Sequence, residues 1–356
     1  MVGKYFQCSR VTEVLKIGIT GVGGGVGQSI QKALSLSELP LELHAIDIQP
    51  MSAGLFRSEH AHVLPPPDQP GALDVWRNMA LEVGLAGIFP GSDHDIPALA
   101  IARECWEAEP FQVLISDKAL VDICRDKSRT VDAMRCVGLP APESAWDMTL
   151  EEAQDWVRKI GYPVVLKPRD GYASRSVNVI EDDESLVYFY PRTPNPMLQE
   201  YLGDRNDPQE FTCSVFVDSE GNPVGTFVAR RELSGGATYR AEVSDWPEID
   251  ALLWQIGAHF RPRGPLNIQL RMTERGPVPF EFNIRCSGTT AIRAHFGFNE
   301  PDMMIRHFIL GESLEPVAPR HGIALRYWNE VFIDHASADD LRADPTAWSG
   351  IVRSWP

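Results

Sequence analysis

Residues 265–285, "PLNIQLRMTERGPVPFEFNIR", constrain the fold of this 356-residue chain more than any other stretch. Leu266, Ile268, Leu270 and Met272 alternate with Asn267, Gln269 and Arg271; Phe280, Phe282 and Ile284 alternate with Glu281, Asn283 and Arg285. A period of two puts each polar set on one face of an extended strand, so the segment is predicted to be an antiparallel hairpin. If both apolar faces meet one core, odd positions fall opposite odd ones, for example Gln269 across from Glu281, and Gln269, Glu281, Asn283 and Arg285 share a surface. A solvated hairpin face is the plain alternative. The set is nevertheless chemically selective: one carboxylate and two carboxamide oxygens are hard ligands suited to Mg²⁺, and a guanidinium suits a phosphoryl or carboxylate group.

Upstream, the pattern from residue 16 to about 118 is strand, glycine turn, helix, strand, repeated. "LKIGIT", "LELHAIDI", "AGIFPGS" and "FQVLIS" read as strands, with helices at "GQSIQKALSLS", "ALDVWRNMALEVGL" and "DIPALAIARECWEAE". Such alternation predicts a parallel sheet with helices on both faces. Residues 119 to about 159 are helix-rich, and Thr149 followed by Glu152 fits a capping box. From "YPVVLKPRDG" onward the pattern turns to hairpins, including "FTCSVFVDSEGNPVGTFVARRE". Three domains are expected, at 1–118, 119–200 and 201–356.

A magnesium-phosphate site needs further cations. Lys167 ends an apolar run and precedes "DGYASRSV", whose backbone amides and Ser174 are suited to phosphate oxygens; Lys127 opens a helix in "CRDKSRTVDAM". Either lysine alone reads equally as an ordinary surface charge. Between them and the hairpin lies "NPMLQEYLGDRNDPQEF", where the backbone at "EYL" can meet a purine edge and a later carboxylate a ribose.

In this order the pieces resemble the ATP-grasp superfamily, specifically its carbamoyl-phosphate-synthetase-like branch. The likeness runs through "DKSRTVDAMRCVGLPAPES", "GYPVVLKPRDGYASRSV", "QEYL" and "NIQLR...PFEFNIRCSGTT". It implies an α/β chain: a Rossmann-like pre-ATP-grasp domain, then two α+β lobes clasping ATP. It also implies roles. Lys127, Lys167 and Ser174 would contact ATP phosphates, Glu200 and Leu202 would frame adenine, and Glu210 would bind ribose. Glu281, Asn283 and Gln269 would hold Mg²⁺ or Mn²⁺, and Arg285 would stabilise the transferred phosphoryl group. The implied chemistry is attack of a carboxylate on the γ-phosphate, then displacement of phosphate by an amine. "RDGYASRS" is the expected lid.

Substrate contacts are expected from Arg231, Arg293 and Ser287, on loops and strands around the hairpin. "PGSDHDIP" places His94 at a strand end, where Ser92 or Asp93 is expected to cap the next helix. His60 and His62 are read as loop residues. The opening "IGITGVGGGVGQ", with Asp47 ending the next strand, has the local logic of a dinucleotide fingerprint. Its expected role here is one wall of a shared cleft, with its amides toward the acceptor substrate.

A formal charge of −16 argues against nonspecific nucleic-acid binding, and no apolar run is long enough to span a membrane. Six cysteines form no CxxC. A cytoplasmic homodimer acting on small carboxylate and amine substrates is expected. The alternatives are a kinase that releases the acyl phosphate, a nicotinamide-dependent dehydrogenase, and a noncatalytic nucleotide sensor.

Overall fold

A computed structural model describes residues 13–170, 177–327, 329–334, 337–343 and 352–354. The amino-terminal part builds one parallel sheet from β1 (Leu15–Ile19), β2 (Leu41–Asp47), β3 (His60–Val63), β4 (Gly87–Phe89) and β5 (Gln112–Val113), in the order β3-β2-β1-β4-β5. Its helices are α1 (Gly25–Leu34), α2 (Ala72–Val83) and α3 (Ile96–Cys105). Strand periodicity divides the packing. Ile17, Ile19, Ala45 and Phe89 join Ile30 and Leu34 of α1, whereas Ile46 and Ile88 join Trp76, Met79 and Ala80 of α2 and Leu99 of α3. The sheet is therefore covered on both faces, as its nearly unbroken apolar strands require. The segment "HAHV", expected to be loop, forms the edge strand β3 because its backbone pairs in parallel with β2.

Two helices, α4 (Lys118–Arg125) and α5 (Lys127–Cys136), lead into a four-stranded sheet. It consists of β6 (Ser144–Trp146), β7 (Val164–Pro168), β8 (Asn178–Ile180) and β9 (Pro196–Glu200), ordered β6-β9-β7-β8. One face is covered by α6 (Leu150–Ile160) and α7 (Asp183–Phe189): Ala153 and Val157, one helical turn apart, pack with Leu186 against Val164, Leu166, Ile180 and Leu198. The predicted capping box is present, Thr149 and Glu152 each accepting from the other's backbone N–H. Because Val164 and Leu166 face the helices, Val165 and Lys167 face the opposite side, toward a cleft.

The carboxyl-terminal sheet has the order β14-β13-β10-β11-β12-β15. Its strands are β10 (Glu210–Val217), β11 (Pro223–Ser234), β12 (Ala237–Val243), β13 (Gly264–Thr273), β14 (Gly276–Asn283) and β15 (Gly322–Leu325), with α8 (Pro247–Phe260) between β12 and β13. Phe211, Cys213, Val215, Leu266, Ile268 and Leu270 pack against Ile249, Leu253 and Ile256 of α8. The predicted hairpin is β13–β14, with Gln269 opposite Glu281 and a register shift just after Gln269. Two short helices follow, α9 (Thr290–His295) and α10 (Glu300–Met304), and they pack against α1 in a core shared with the parallel sheet. Ser29 on α1 fastens this contact, donating to the Gly288 carbonyl at 3.2 Å and accepting from Ala291 N–H at 2.8 Å. The first sheet is thereby fixed beside the hairpin.

Candidate functional site

The small and large antiparallel sheets face each other across a cleft of about 240 Å³. Lys127, Val165, Lys167, Val179, Gln199, the 200–202 segment, Glu210, Arg231, Gln269, Arg271, Phe280 and Glu281 line it. Residues drawn from seven strands and one helix thus converge. Val165, Val179, Leu202 and Phe280 give it apolar walls, and Lys127, Lys167, Glu210, Arg231, Arg271 and Glu281 bring charge from both sheets.

Lys167 is 5% exposed and donates to Gln199 Oε1 at 2.9 Å. Burial pulls its pKa down to about 7, against the raising effect of the Glu281 carboxylate and with Lys127 lowering it further. Lys127 sits at the start of α5, capped by Asp126, whose carboxylate also takes two hydrogen bonds from Arg169.

Glu210 follows from sheet register. Its Cα pairs with that of Arg271 on β13, and Arg231 lies beside it on β11. Both guanidiniums bind the carboxylate through paired N–H donors: Arg231 to Oε1 at 3.1 and 2.7 Å, Arg271 to Oε2 at 3.1 and 3.0 Å. Arg231 also donates to Gln269 Oε1 at 2.9 Å. Arg231, expected to be a substrate clamp, therefore stands inside this cleft with the nucleotide-type residues. Arg271 completes the set and stacks its guanidinium 5.0 Å from the Tyr201 ring. Its position two residues beyond Gln269 on one strand was the available signal.

At the 200–202 segment the Glu200 carboxylate accepts from Glu143 N–H at 2.8 Å and from Arg275 at 2.5 Å. Leu202 is buried and its carbonyl accepts from Arg271 at 3.4 Å. The Glu200 side chain thus braces the turn.

Beyond Glu281, β14 ends at Asn283, and Arg285 follows just past it. Arg285 donates through Nε and Nη2 to the two oxygens of Asp93, at 2.8 and 3.1 Å, and through Nη2 to Asn283 Oδ1 at 3.3 Å. Burial pushes the Asp93 carboxyl up, but the charge and hydrogen bonds of Arg285, with help from His94 and Arg125, leave it below its ordinary value. Asp93 does not cap the next helix as expected; the N-cap is Asp95, and its side chain is taken by Thr20 Oγ1 at 2.6 Å. A small pocket joins Asp93, Arg125, Lys127, Asp170, Glu281 and Asn283, so the start of α5 and the hairpin meet the loop after β4 there.

Two expected substrate contacts are corrected. Arg293 is 0% exposed; it donates to Glu300 at 2.7 Å, Asn267 at 2.6 Å and the Cys213 carbonyl at 3.1 Å. It is an internal strut because α9 docks against the covered face of the sheet. Ser287 is also buried, sharing a 2.6 Å hydrogen bond with Thr289 Oγ1 and accepting from Thr289 N–H inside the turn. Ser174 and most of the expected lid lie outside the described residues. Asp47 is spent locally: its carboxylate accepts from Gly23 N–H at 2.7 Å and Gln49 N–H at 2.9 Å, holding the glycine turn.

Oxygen donors of Glu281, Asn283 and Gln269 lie on one strand pair, and their hard character fits Mg²⁺ or Mn²⁺. The cleft between the two antiparallel sheets thus brings Lys127 and Lys167 together with Gln269 and Glu281 of the hairpin, the arrangement expected of an ATP-grasp chain. Residues 192–331 match the family model "ATP-grasp in the biosynthetic pathway with Ter operon". Residues 126–226 match "Carbamoyl-phosphate synthase L chain, ATP binding domain". The two models together span residues 126–331, and over that span the chain is similar to ATP-grasp and carbamoyl-phosphate synthase ATP-binding domains.

Among curated relatives, the chain is 25% identical over 224 residues to the uncharacterized protein y4rH of Sinorhizobium fredii, covering 56% of this chain and 45% of that protein. It is 33% identical over 144 residues to the carbamoyl phosphate synthase large chain of Archaeoglobus fulgidus, covering 38% and 13%. It thus spans less than half the length of such relatives. The fold is similar to the biotin carboxylase domain of Hydrogenobacter thermophilus 2-oxoglutarate carboxylase, solved with MgADP and bicarbonate (TM-score 0.67, 20% identity, 84% of this chain and 70% of that one). It is also similar to N5-carboxyaminoimidazole synthetase from Staphylococcus aureus, solved with ADP (TM-score 0.67, 13% identity, 90% and 82%).

Proposed function

We propose that this protein is an ATP-dependent carboxylate–amine ligase that works through an acyl phosphate. The observation that carries the reading is the cleft itself: Lys127 and Lys167 on one side, Gln269 and Glu281 on the other, and the 200–202 backbone at its end. In this reading ATP lies between the sheets, adenine against Val165, Val179 and Leu202, with the 200–202 backbone at its edge. Glu210 receives the ribose hydroxyls, exchanging part of its arginine pairing for them. Lys127 and Lys167 hold the phosphates, with Ser174 as a further contact. Glu281, Asn283 and Gln269 would hold Mg²⁺ or Mn²⁺, which supplies positive charge to the phosphates when bound.

The carboxylate oxygen of the first substrate attacks the γ-phosphorus, and the bond to ADP breaks. Arg285 stabilises the charge on the transferred group. The amine nitrogen then attacks the acyl carbon, phosphate leaves, and the nitrogen loses its proton. The paired hydrogen bonds from Arg285 to Asp93 support its charge-stabilising role by fixing the guanidinium beside Asn283 at the end of the hairpin. The parallel sheet serves as the pre-ATP-grasp domain. The domain limits 1–118, 119–200 and 201–356, a homodimeric state and a cytoplasmic location accompany the reading, as does a small-molecule substrate pair. Among the described residues no helix is long and apolar enough to cross a membrane.

The test is ADP release with Mg²⁺ against a pool of amino acids and small carboxylates, followed by product mass spectrometry. An amide product is expected. A stable phosphorylated product without amide would replace the ligase by a carboxylate or carbamate kinase, the reading that the carbamoyl-phosphate-synthase match favours second.

A further inference from the structure

The edge of the parallel sheet carries an imidazole cluster that the nucleotide chemistry does not use. β2 and β3 run side by side with His44 opposite His60 and Ile46 opposite His62. Glu42 and His44 are two apart on β2, and His60 and His62 two apart on β3, so all four occupy one face of the strand pair. The His44 and His60 rings stack at 4.6 Å, and those of His44 and His62 at 5.2 Å. His44 Nε2 lies 2.9 Å from Glu42 Oε1, and His60 Nε2 lies 3.6 Å from the same oxygen. One ligand atom from each of Glu42, His44 and His60 falls within 4.8 Å of the other two.

We propose that Glu42, His44 and His60 form a zinc-binding site, with His62 orienting His44 from behind. In a tetrahedral zinc centre, bond lengths of about 2.0–2.2 Å set ligand atoms roughly 3.3–3.5 Å apart. The observed 2.9 and 3.6 Å from Glu42 straddle that spacing, and the His44 and His60 ligand atoms lie within 4.8 Å, so closing the site takes side-chain shifts of up to about 1.5 Å. Two imidazoles and a carboxylate suit a borderline divalent ion such as zinc, and not Mg²⁺. His44 is buried, and its Nδ1 lies 2.9 Å from His62 Nε2. That contact fixes the ring and assigns Nε2 to the ion, the usual arrangement behind a zinc-bound histidine. His60 is 45% exposed in its side chain, which opens the cluster to solvent and leaves a fourth position to water. Lys16, 3.6 Å from Glu42 Oε1 and 40% exposed, is the competing cation and can turn into solvent.

The test uses the full chain, freed of metal by a chelator and carrying no histidine tag. Co²⁺ titration should develop visible bands of tetrahedral coordination, saturating near about one equivalent and reversed by Zn²⁺. Competition with a chromophoric chelator should show Zn²⁺ affinity lowered roughly 100-fold or more in His60→Ala and in Glu42→Gln, and about 10–100-fold in His62→Ala. Glu281→Ala, in the nucleotide cleft, should leave Zn²⁺ affinity unchanged. His60 is exposed and Glu42→Gln is isosteric, so both variants should keep the wild-type circular dichroism and melting profile. Absence of Zn²⁺ binding at micromolar concentration, or equal affinity in wild type and both variants, overturns the proposal. No ATP-dependent activity enters the readout, so failure of the ligase reading would leave this result intact.

Discussion

Asp93, on the loop after β4, holds Arg285, just past the end of β14, by two hydrogen bonds of 2.8 and 3.1 Å. The parallel sheet thereby sets the orientation of a guanidinium that belongs to the carboxyl-terminal hairpin. Asp93→Ala should lower kcat for ADP release about 10–100-fold while leaving the KM for ATP near wild type, because the loss falls on placement of Arg285 and not on nucleotide binding. A matching rise in KM with kcat unchanged would contradict this. Arg285→Lys should fare no better than Arg285→Ala, since an ammonium cannot reproduce the paired donors.

Lys167 carries a pH prediction. Its pKa in the free protein is about 7, lowered by burial, and phosphate oxygens beside it would raise that value. Nucleotide binding should therefore take up a proton, and the Kd for ATP should weaken as pH rises from 7 toward 9, by up to about tenfold per unit. Calorimetry in buffers of different ionisation enthalpy measures the uptake directly. Lys167→Met should abolish it; a wild-type Kd flat over this range would remove Lys167 from the phosphate site.

Arg293 and Glu300 form an ion pair with both side chains 0% exposed. Glu300→Ala strands a guanidinium in the core and should cost about 3–5 kcal/mol of stability. The Arg293→Met, Glu300→Met double variant should recover much of that loss. Thermal melting gives the comparison, with ATP affinity of the folded fraction unchanged in both.

The glycine turn makes a negative prediction. Asp47 is bonded to the Gly23 and Gln49 amides, so it is not presented to a ribose. Titration with NADH should give no saturable fluorescence enhancement; saturation in the micromolar range would revive a dehydrogenase.

How much of this was legible in sequence depended on whether a pattern was local. Period two in residues 265–285 set odd positions opposite odd ones, since a one-residue slip would have turned one strand's apolar face away from the core, and Gln269 pairs with Glu281 within that parity. The capping box at Thr149 was equally local. The roles of individual arginines were not. Arg231 faces the cleft and Arg293 the core, and that difference comes from where α9 packs on the sheet, which no short-range pattern encodes. Asp93 looked like a helix cap because its partner lies 192 residues away. The strand "HAHV" was hidden for a related reason: four residues with two histidines have little strand signature until a neighbouring strand supplies their hydrogen bonds.

The central claim, that the cleft between the two antiparallel sheets is an ATP–metal site, meets its most direct test in calorimetric titration of the protein with ATP, with and without Mg²⁺. Saturable micromolar binding that strengthens with Mg²⁺ is expected, with Lys167→Ala weakening it in both conditions and Glu281→Ala removing the Mg²⁺ enhancement. Binding that is absent at millimolar ATP, or that both substitutions leave untouched, would contradict it.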